Sequence, residues 1–240
     1  MNAKISVVIP ALNEEEPIAD VVRACLANGL PNEVIVVDNG STDRTAERAR
    51  EAGARVMDAP RGYGRACAAG VRAVAPDTGI VVFLDGDGSD CPELMERLVR
   101  PIVDNTADFV IGSRTRGERE KGSMNAQQVF AGYLAGALVR PLYGVKYTDM
   151  CPFRAIRRDA LEKLGMKEET YGWNLEMQMR AARAGLRVLE VPVNHRCRTG
   201  GESKVSGSLR GTFLAGTRIL ATLFRVAMER QEADASVTTR

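Results

Sequence analysis

At 240 residues, 45% hydrophobic and 27% charged, the chain can fold one sizeable α/β domain with an ordinary globular composition. Its 33 basic and 31 acidic residues leave a net charge of +2, which excludes a general polyanion binder and, with it, nucleic acid as a partner. Five scattered cysteines without CxxC spacing argue for a reducing compartment, and a single histidine, His195, excludes a histidine-built metal centre.

The chain opens on a β-branched strand, Ile5 to Ile9. Pro10 to Asn13 turn out of it into a helix with apolar spacing over Glu14 to Asn28, whose acidic start suits the positive end of a helix dipole. A second strand, Glu33 to Val37, ends in Asp38-Asn39-Gly40-Ser41-Thr42-Asp43, where Ser41 or Thr42 can cap the next helix, Arg44 to Ala52. Arg55 to Met57 form a third strand. Arg61-Gly62-Tyr63-Gly64-Arg65 make a tight loop into a helix ending near Ala75; with Cys67 at the third glycine position, this is not a dinucleotide fingerprint. The unbroken apolar run Ile80 to Leu84 has the pattern of a strand buried on both faces. It drives into Asp85-Gly86-Asp87-Gly88-Ser89-Asp90, with Asp90 placed to cap a helix over Pro92 to Val103; Phe109 to Gly112 is the next strand. This alternation specifies βαβ units and a mostly parallel sheet. In such sheets ligands bind beyond the carboxyl ends of the strands, where Asp38, the loop at 61–65, Asp85 and Asp87 all fall.

The second half is less regular. Arg114 to Ser123 reads as a charged, mobile loop, Gln127 to Val139 as a helix, Ala155 and Ile156 as a brief extended piece, Trp173 to Ala184 as a helix and Arg187 to Val191 as a strand. A helix from Ser208 to about Arg230 carries an apolar face with Arg210, Arg218 and Arg225 interspersed, which suits docking on a membrane surface or on a second copy of the chain. The early apolar run is too short for a signal peptide, and no stretch reaches the roughly 18 apolar residues of a membrane span. The expectation is a cytoplasmic protein, with any membrane contact peripheral and on the cytoplasmic face.

Asp85 and Asp87, two residues apart, project to the same side in extended geometry. Held together they repel unless a divalent cation, Mg2+ or Mn2+, lies between them.

Three landmarks, Val7-Val8-Ile9-Pro10-Ala11-Leu12-Asn13-Glu14-Glu15, Val36-Val37-Asp38-Asn39-Gly40-Ser41-Thr42-Asp43-Arg44-Thr45 and the Asp85 to Asp90 run, resemble in order the family 2 glycosyltransferases with the GT-A fold. Ile111 to Arg114, Thr148 to Ala155, Glu176 and Gly201 to Lys204 extend the likeness to the branch containing dolichol-phosphate mannosyltransferases and bacterial polyprenyl-phosphate glycosyltransferases. The resemblance covers roughly residues 4 to 204 and implies a Rossmann-like, mostly parallel sheet with helices on both faces; the expected division is a catalytic domain over 1–204 followed by the amphipathic helix and tail over 205–240. It further implies a metal-dependent, inverting transfer of a hexose from a UDP- or GDP-sugar to a polyprenyl-phosphate-type carrier.

By the same resemblance, Pro10, Ala11, Asn13, Glu14, Asp38, Gly64, Asp85 and Gly86 bind the nucleotide sugar. Asp85 and Asp87 hold the metal, and Arg114, Arg198, Ser203 and Lys204 bind the acceptor or its phosphate. Asp87, Asp149, Glu176 and Arg114 are the catalytic set. Two alternatives stay open: a hydroxyl acceptor with Glu176 as base, and a non-catalytic nucleotide-binding or docking protein. Glu176 could also be a structural partner of an arginine such as Arg154.

Overall fold

The computed structural model describes residues 3–200 and 221–229. Seven strands form one sheet: β1 (Lys4–Ala11), β2 (Glu33–Asp38), β3 (Arg55–Asp58), β4 (Thr78–Phe83), β5 (Phe109–Ser113), β6 (Arg154–Arg157) and β7 (Val188–Pro192). Their order is β3-β2-β1-β4-β6-β5-β7, and every neighbouring pair is parallel except those made by β6, which is antiparallel to both β4 and β5. The strands β1, β2 and β4 are apolar nearly throughout because helices cover both faces; Val7, Val8, Ile9, Val36, Val37, Val81 and Val82 are all completely buried. Full burial of each such side chain contributes about 1.5–3 kcal/mol.

The helices are α1 (Ile18–Ala27), α2 (Thr45–Glu51), α3 (Tyr63–Ala73), α4 (Met95–Val103), α5 (Ala126–Tyr143), α6 (Arg158–Leu164) and α7 (Trp173–Arg183). α3 lies against β1 and β2. That approach needs Gly70: a Cβ there would press into Val8 and come within 3.1 Å of Val37 Cγ2. α5 is set by a reciprocal cap in which Asn125 and Gln128 each accept the other's backbone N–H, at 2.8 and 2.9 Å.

Several local expectations give way to contacts between loops. The helix expected from Glu14 begins at Ile18, and its first turn holds Asp20 rather than the glutamates. The Glu14 N–H donates to Thr45 Oγ1 (2.8 Å), the Glu15 N–H to Asp43 Oδ2 (3.2 Å) and the Asn13 N–H to Ser41 Oγ (2.9 Å), so the loops after β1 and β2 interlock instead of starting a helix. Ser41 and Thr42 do not cap α2, which has no side-chain cap. The charged loop at 114–123 is paired rather than free: His195 N–H donates to Glu118 O and Glu120 N–H to His195 O, both at 2.9 Å. The brief extended piece at 155–156 proves to be β6, inserted in the middle of the sheet.

Residues 221–229 are helical, with Leu223 and Val226 buried in the main core. The remainder of the expected terminal helix and tail, with Ser203 and Lys204, lies outside the described residues. Among the described residues, no helix is long and apolar enough to cross a membrane.

Candidate active site

β1 and β4 are adjacent, yet β2 and β3 lie to one side of them and the later strands to the other. A doubly wound sheet opens a crevice at such a point, beyond the strand carboxyl ends. A cavity of about 730 Å³ occupies it. Pro10, Ala11, Leu12 and Glu14 enter from the end of β1, and Asp85, Gly86, Asp87 and Ser89 from the end of β4. Gly62 and Tyr63 enter from the start of α3, Arg114 from the end of β5, and His195, Cys197 and Arg198 from beyond β7.

The acidic side holds three carboxylates, Asp85, Asp87 and Asp90, close together in one loop. Asp85 Oδ1 accepts the Tyr63 phenol at 3.1 Å. Burial, and then the charges of Asp87 and Asp90, push its carboxyl well above the usual range. Asp87 Oδ1 is held by the backbone N–H (3.0 Å) and hydroxyl (2.6 Å) of Ser89. Asp90 is not the helix cap expected of it; the turn at Pro92–Leu94 has no side-chain cap. It is buried beneath the loop, where Oδ2 accepts the Asp85 N–H at 3.0 Å and Oδ1 has no partner. Burial raises its carboxyl to about 7. His195 Nδ1, also without a partner, lies 4.0 Å from that oxygen, and burial lowers the imidazole to about 4, so it is neutral at pH 7.

Two arginines face this acidic side. Arg114 binds Asp149 as a fork, Nε to Oδ2 at 2.8 Å and Nη2 to Oδ1 at 2.7 Å, with its own backbone N–H on Oδ2 at 2.9 Å. Arg198 Nη2 donates to both oxygens of Glu14, at 2.7 and 3.0 Å, and stands 3.7 Å from Asp87. The Thr199 N–H donates to Asp87 O at 3.2 Å, so the segment carrying Arg198 is strapped across the acidic loop.

These residues fit a hard divalent ion: the donors are oxygen, and the charges of Asp87 and Asp90 bear on the Asp85 carboxyl, which a cation would relieve. Among the described residues no three His, Cys, Asp or Glu side chains converge to enclose one. Asp85 and Asp87 would hold such an ion from one side, leaving the rest of its shell to other oxygen ligands.

Residues 6–165 match the family described as Glycosyl transferase family 2. The chain belongs to that family. An uncharacterised glycosyltransferase of Mycobacterium tuberculosis is 41% identical over 88% of this chain and 94% of its own length. A dolichyl-phosphate hexose transferase of Haloferax volcanii is 34% identical over 95% of each chain. Among solved structures, the glucosyl-3-phosphoglycerate synthase of Mycobacterium tuberculosis, crystallised with Mn2+, UDP-glucose and phosphoglyceric acid, has a TM-score of 0.75 and 28% identity over 94% of this chain and 80% of that one. The fold is the GT-A type.

The glycosyltransferase brings together at its cavity Pro10, Ala11, Glu14, Asp85, Gly86, Asp87, Arg114 and Arg198 of the residues expected there. Others stand back. Asp38 Oδ1 accepts the Ser41 N–H (2.9 Å) in its own turn, and Asn39, the next residue, lines the cavity instead. Asn13 bridges the two interlocked loops, accepting the Thr42 N–H at 2.8 Å. Gly64 is pressed against the Glu168 carbonyl, and its neighbours Gly62 and Tyr63 take the cavity wall.

Asp149 and Glu176 are behind the cavity and are not free bases. Asp149 accepts the three Arg114 bonds and the Met150 N–H at 2.7 Å; burial pushes its carboxyl up, but the Arg114 hydrogen bonds and charge outweigh this and hold it below the ordinary range. Glu176, fully buried, accepts the N–H groups of Lys167 (2.9 Å) and Glu168 (2.6 Å) and the guanidiniums of Arg180 (2.9 Å) and Arg225 (3.0 Å). Its partner is not Arg154, which is buried elsewhere, donating to the Cys151 and Asn174 carbonyls. Asn39, Thr170, Tyr171 and Asn174 were not anticipated as cavity residues, and Tyr63 was anticipated only as part of the loop at 61–65. Tyr63 carried a usable signal: it is the one large side chain between two glycines at a helix start.

Proposed function

We propose that the transferase moves a hexose from a UDP- or GDP-sugar to the phosphate of a polyprenyl-type lipid carrier, in one inverting displacement, with Mg2+ or Mn2+ at Asp85 and Asp87. The observation that carries the choice of acceptor is the saturation of Asp149 and Glu176. An attacking hydroxyl needs a base within hydrogen-bond reach, whereas a phosphate monoester is already ionised at neutral pH. With all four acceptor directions of both carboxylates filled, the phosphate needs nothing that these residues fail to offer. The Haloferax relative, named for dolichyl phosphate, supports the same acceptor class, and the manganese and UDP-glucose bound by the solved relative support the donor class.

In this reading Asp85 and Asp87 hold the cation, and Pro10 to Leu12 and Asn39 border the nucleotide. When bound, the cation screens the donor diphosphate and stabilises the charge left on the departing nucleotide. Arg198, now held by Glu14 beside Asp87, can turn its guanidinium to that diphosphate. Arg114 cannot swing. Its fork on Asp149 fixes a positive charge at the end of β5, where an acceptor phosphate would be oriented for attack. The exposed Phe224 and Met228 of the 221–229 helix suit contact with the bilayer that holds the carrier.

The deciding experiment is nucleotide release from UDP- and GDP-hexoses with manganese, with and without a short-chain polyprenyl phosphate. Release should depend on the lipid phosphate and disappear in Asp87→Ala. Full activity of Asp87→Ala would sink the metal assignment, and release stimulated only by a hydroxyl compound would sink the acceptor. No release from any donor would favour a non-catalytic nucleotide-binding protein.

A further inference from the structure

A helix that lines no part of the cavity is tied to its donor side. In the 221–229 helix, Arg225 Nη1 donates to Glu176 Oε1 at 3.0 Å and Nη2 to Glu168 Oε2 at 3.1 Å. Thr222 Oγ1 donates to the same Glu168 oxygen at 3.0 Å. Through Oε2, Glu176 takes the backbone N–H groups of Lys167 and Glu168. One buried carboxylate thus fixes the 166–172 segment to α7 and, through Arg225, to the helix.

The other side of that segment bears on the start of α3, backbone against backbone. A Cβ on Gly62 would meet Glu169 O at 2.5 Å, one on Gly64 would be driven into Glu168 O, and the Arg65 N–H donates to Glu169 O at 3.1 Å. No side chain separates the two backbones, and Tyr63, between the two glycines, donates its phenol to Asp85 at 3.1 Å.

We propose that the 221–229 helix is a positioning element for the donor site. The Arg225–Glu176–Glu168 cluster sets the height of the 166–172 segment against α3, and so the orientation that Tyr63 imposes on Asp85. This rests on reading Asp85 as a donor-site carboxylate. A cluster with several simultaneous partners has one good geometry rather than a continuum, which is what a positioning element requires. Misplacement by about 1 Å is enough to cost a site much of its function.

The test is calorimetric binding of UDP and of GDP, each with manganese, to the full chain, at a temperature where every variant is folded by circular dichroism. Arg225→Met keeps the aliphatic stem and removes the ion pairs to Glu168 and Glu176, with a longer one to Glu229 in its own helix; it should weaken binding of the accepted nucleotide about five- to tenfold, and Arg225→Lys should recover most of the loss. Tyr63→Phe should weaken it comparably, and the double variant should be no worse than the weaker single, because both act through Asp85. If Arg225→Met does not fold, Thr222→Val, which removes one bond to Glu168, should give a smaller loss that likewise vanishes in the Tyr63→Phe background. Wild-type-like affinity in the folded variants, or losses that multiply in the double variant, overturns the inference alone. A wild-type chain that binds neither nucleotide with manganese overturns the donor-site reading, and the inference with it.

Discussion

Asp149 and Glu176 look interchangeable in the sequence, each an acid among apolar neighbours, and the fold gives both the same fate of complete engagement by donors. If Glu176 were a general base, Glu176→Gln would lower turnover by about 10²–10⁴ and leave stability intact. The opposite is expected. The amide leaves two arginines beside an uncharged side chain, so urea unfolding should show a loss of about 3 kcal/mol, with turnover at saturating donor falling less than about tenfold. Each carboxylate takes one arginine from a distant part of the chain: Arg114 lies 35 residues before Asp149, and Arg225 lies 49 after Glu176. Motif spacing shows that an acid is present but not what meets it. Asp85 and Asp87 were legible because the apolar run before them fixes where the strand ends and nearby glycines leave few other uses for the loop. Asp38 was half legible: its strand end and the turn after it were evident, but not that the turn would draw its oxygen back to the Ser41 N–H.

Among the elements, β1 to β5 and α1 to α4 follow from local periodicity, and their errors are confined to ends where one loop's side chains satisfy another's backbone. β6 was hidden because four residues, Arg154–Arg157, carry too little pattern to declare a strand. β7 is an edge strand, and its start is secured from outside the sheet. Arg187 donates to Asp108 through Nε (2.9 Å), Nη2 (2.7 Å) and its backbone N–H (3.0 Å), just before β5 begins. The Arg187 hydrogen bonds hold the Asp108 carboxyl down to about 2, against an ordinary value of 3.8. A carboxylate with a depressed folded value adds stability that is complete above its unfolded value and fades as pH falls toward the folded one. Asp108→Asn should therefore lower the melting temperature at pH 7, with the gap to wild type narrowing between about pH 4 and pH 2. A gap that is constant across that window would mean that Arg187 and Asp108 contribute nothing as an ion pair.

For the whole molecule, the order of the strands in the sheet fixes an order in time. β1 to β4 are mutual neighbours and are complete by Phe83, whereas both neighbours of β5, namely β6 and β7, follow it in the chain. A chain emerging from the ribosome thus presents a self-sufficient parallel half first, then a strand, Phe109–Ser113, with no partner until Arg154–Arg157 arrive. Stalled chains ending near residue 150 should protect the amides of β1, β2 and β4 from hydrogen exchange and leave those of β5 open. Equal protection of β5 would require a non-native neighbour. The carboxylate side of the cavity is then complete before Asp149 exists to grip Arg114, and the wall that carries Thr170, Tyr171 and Arg198 is the last to close.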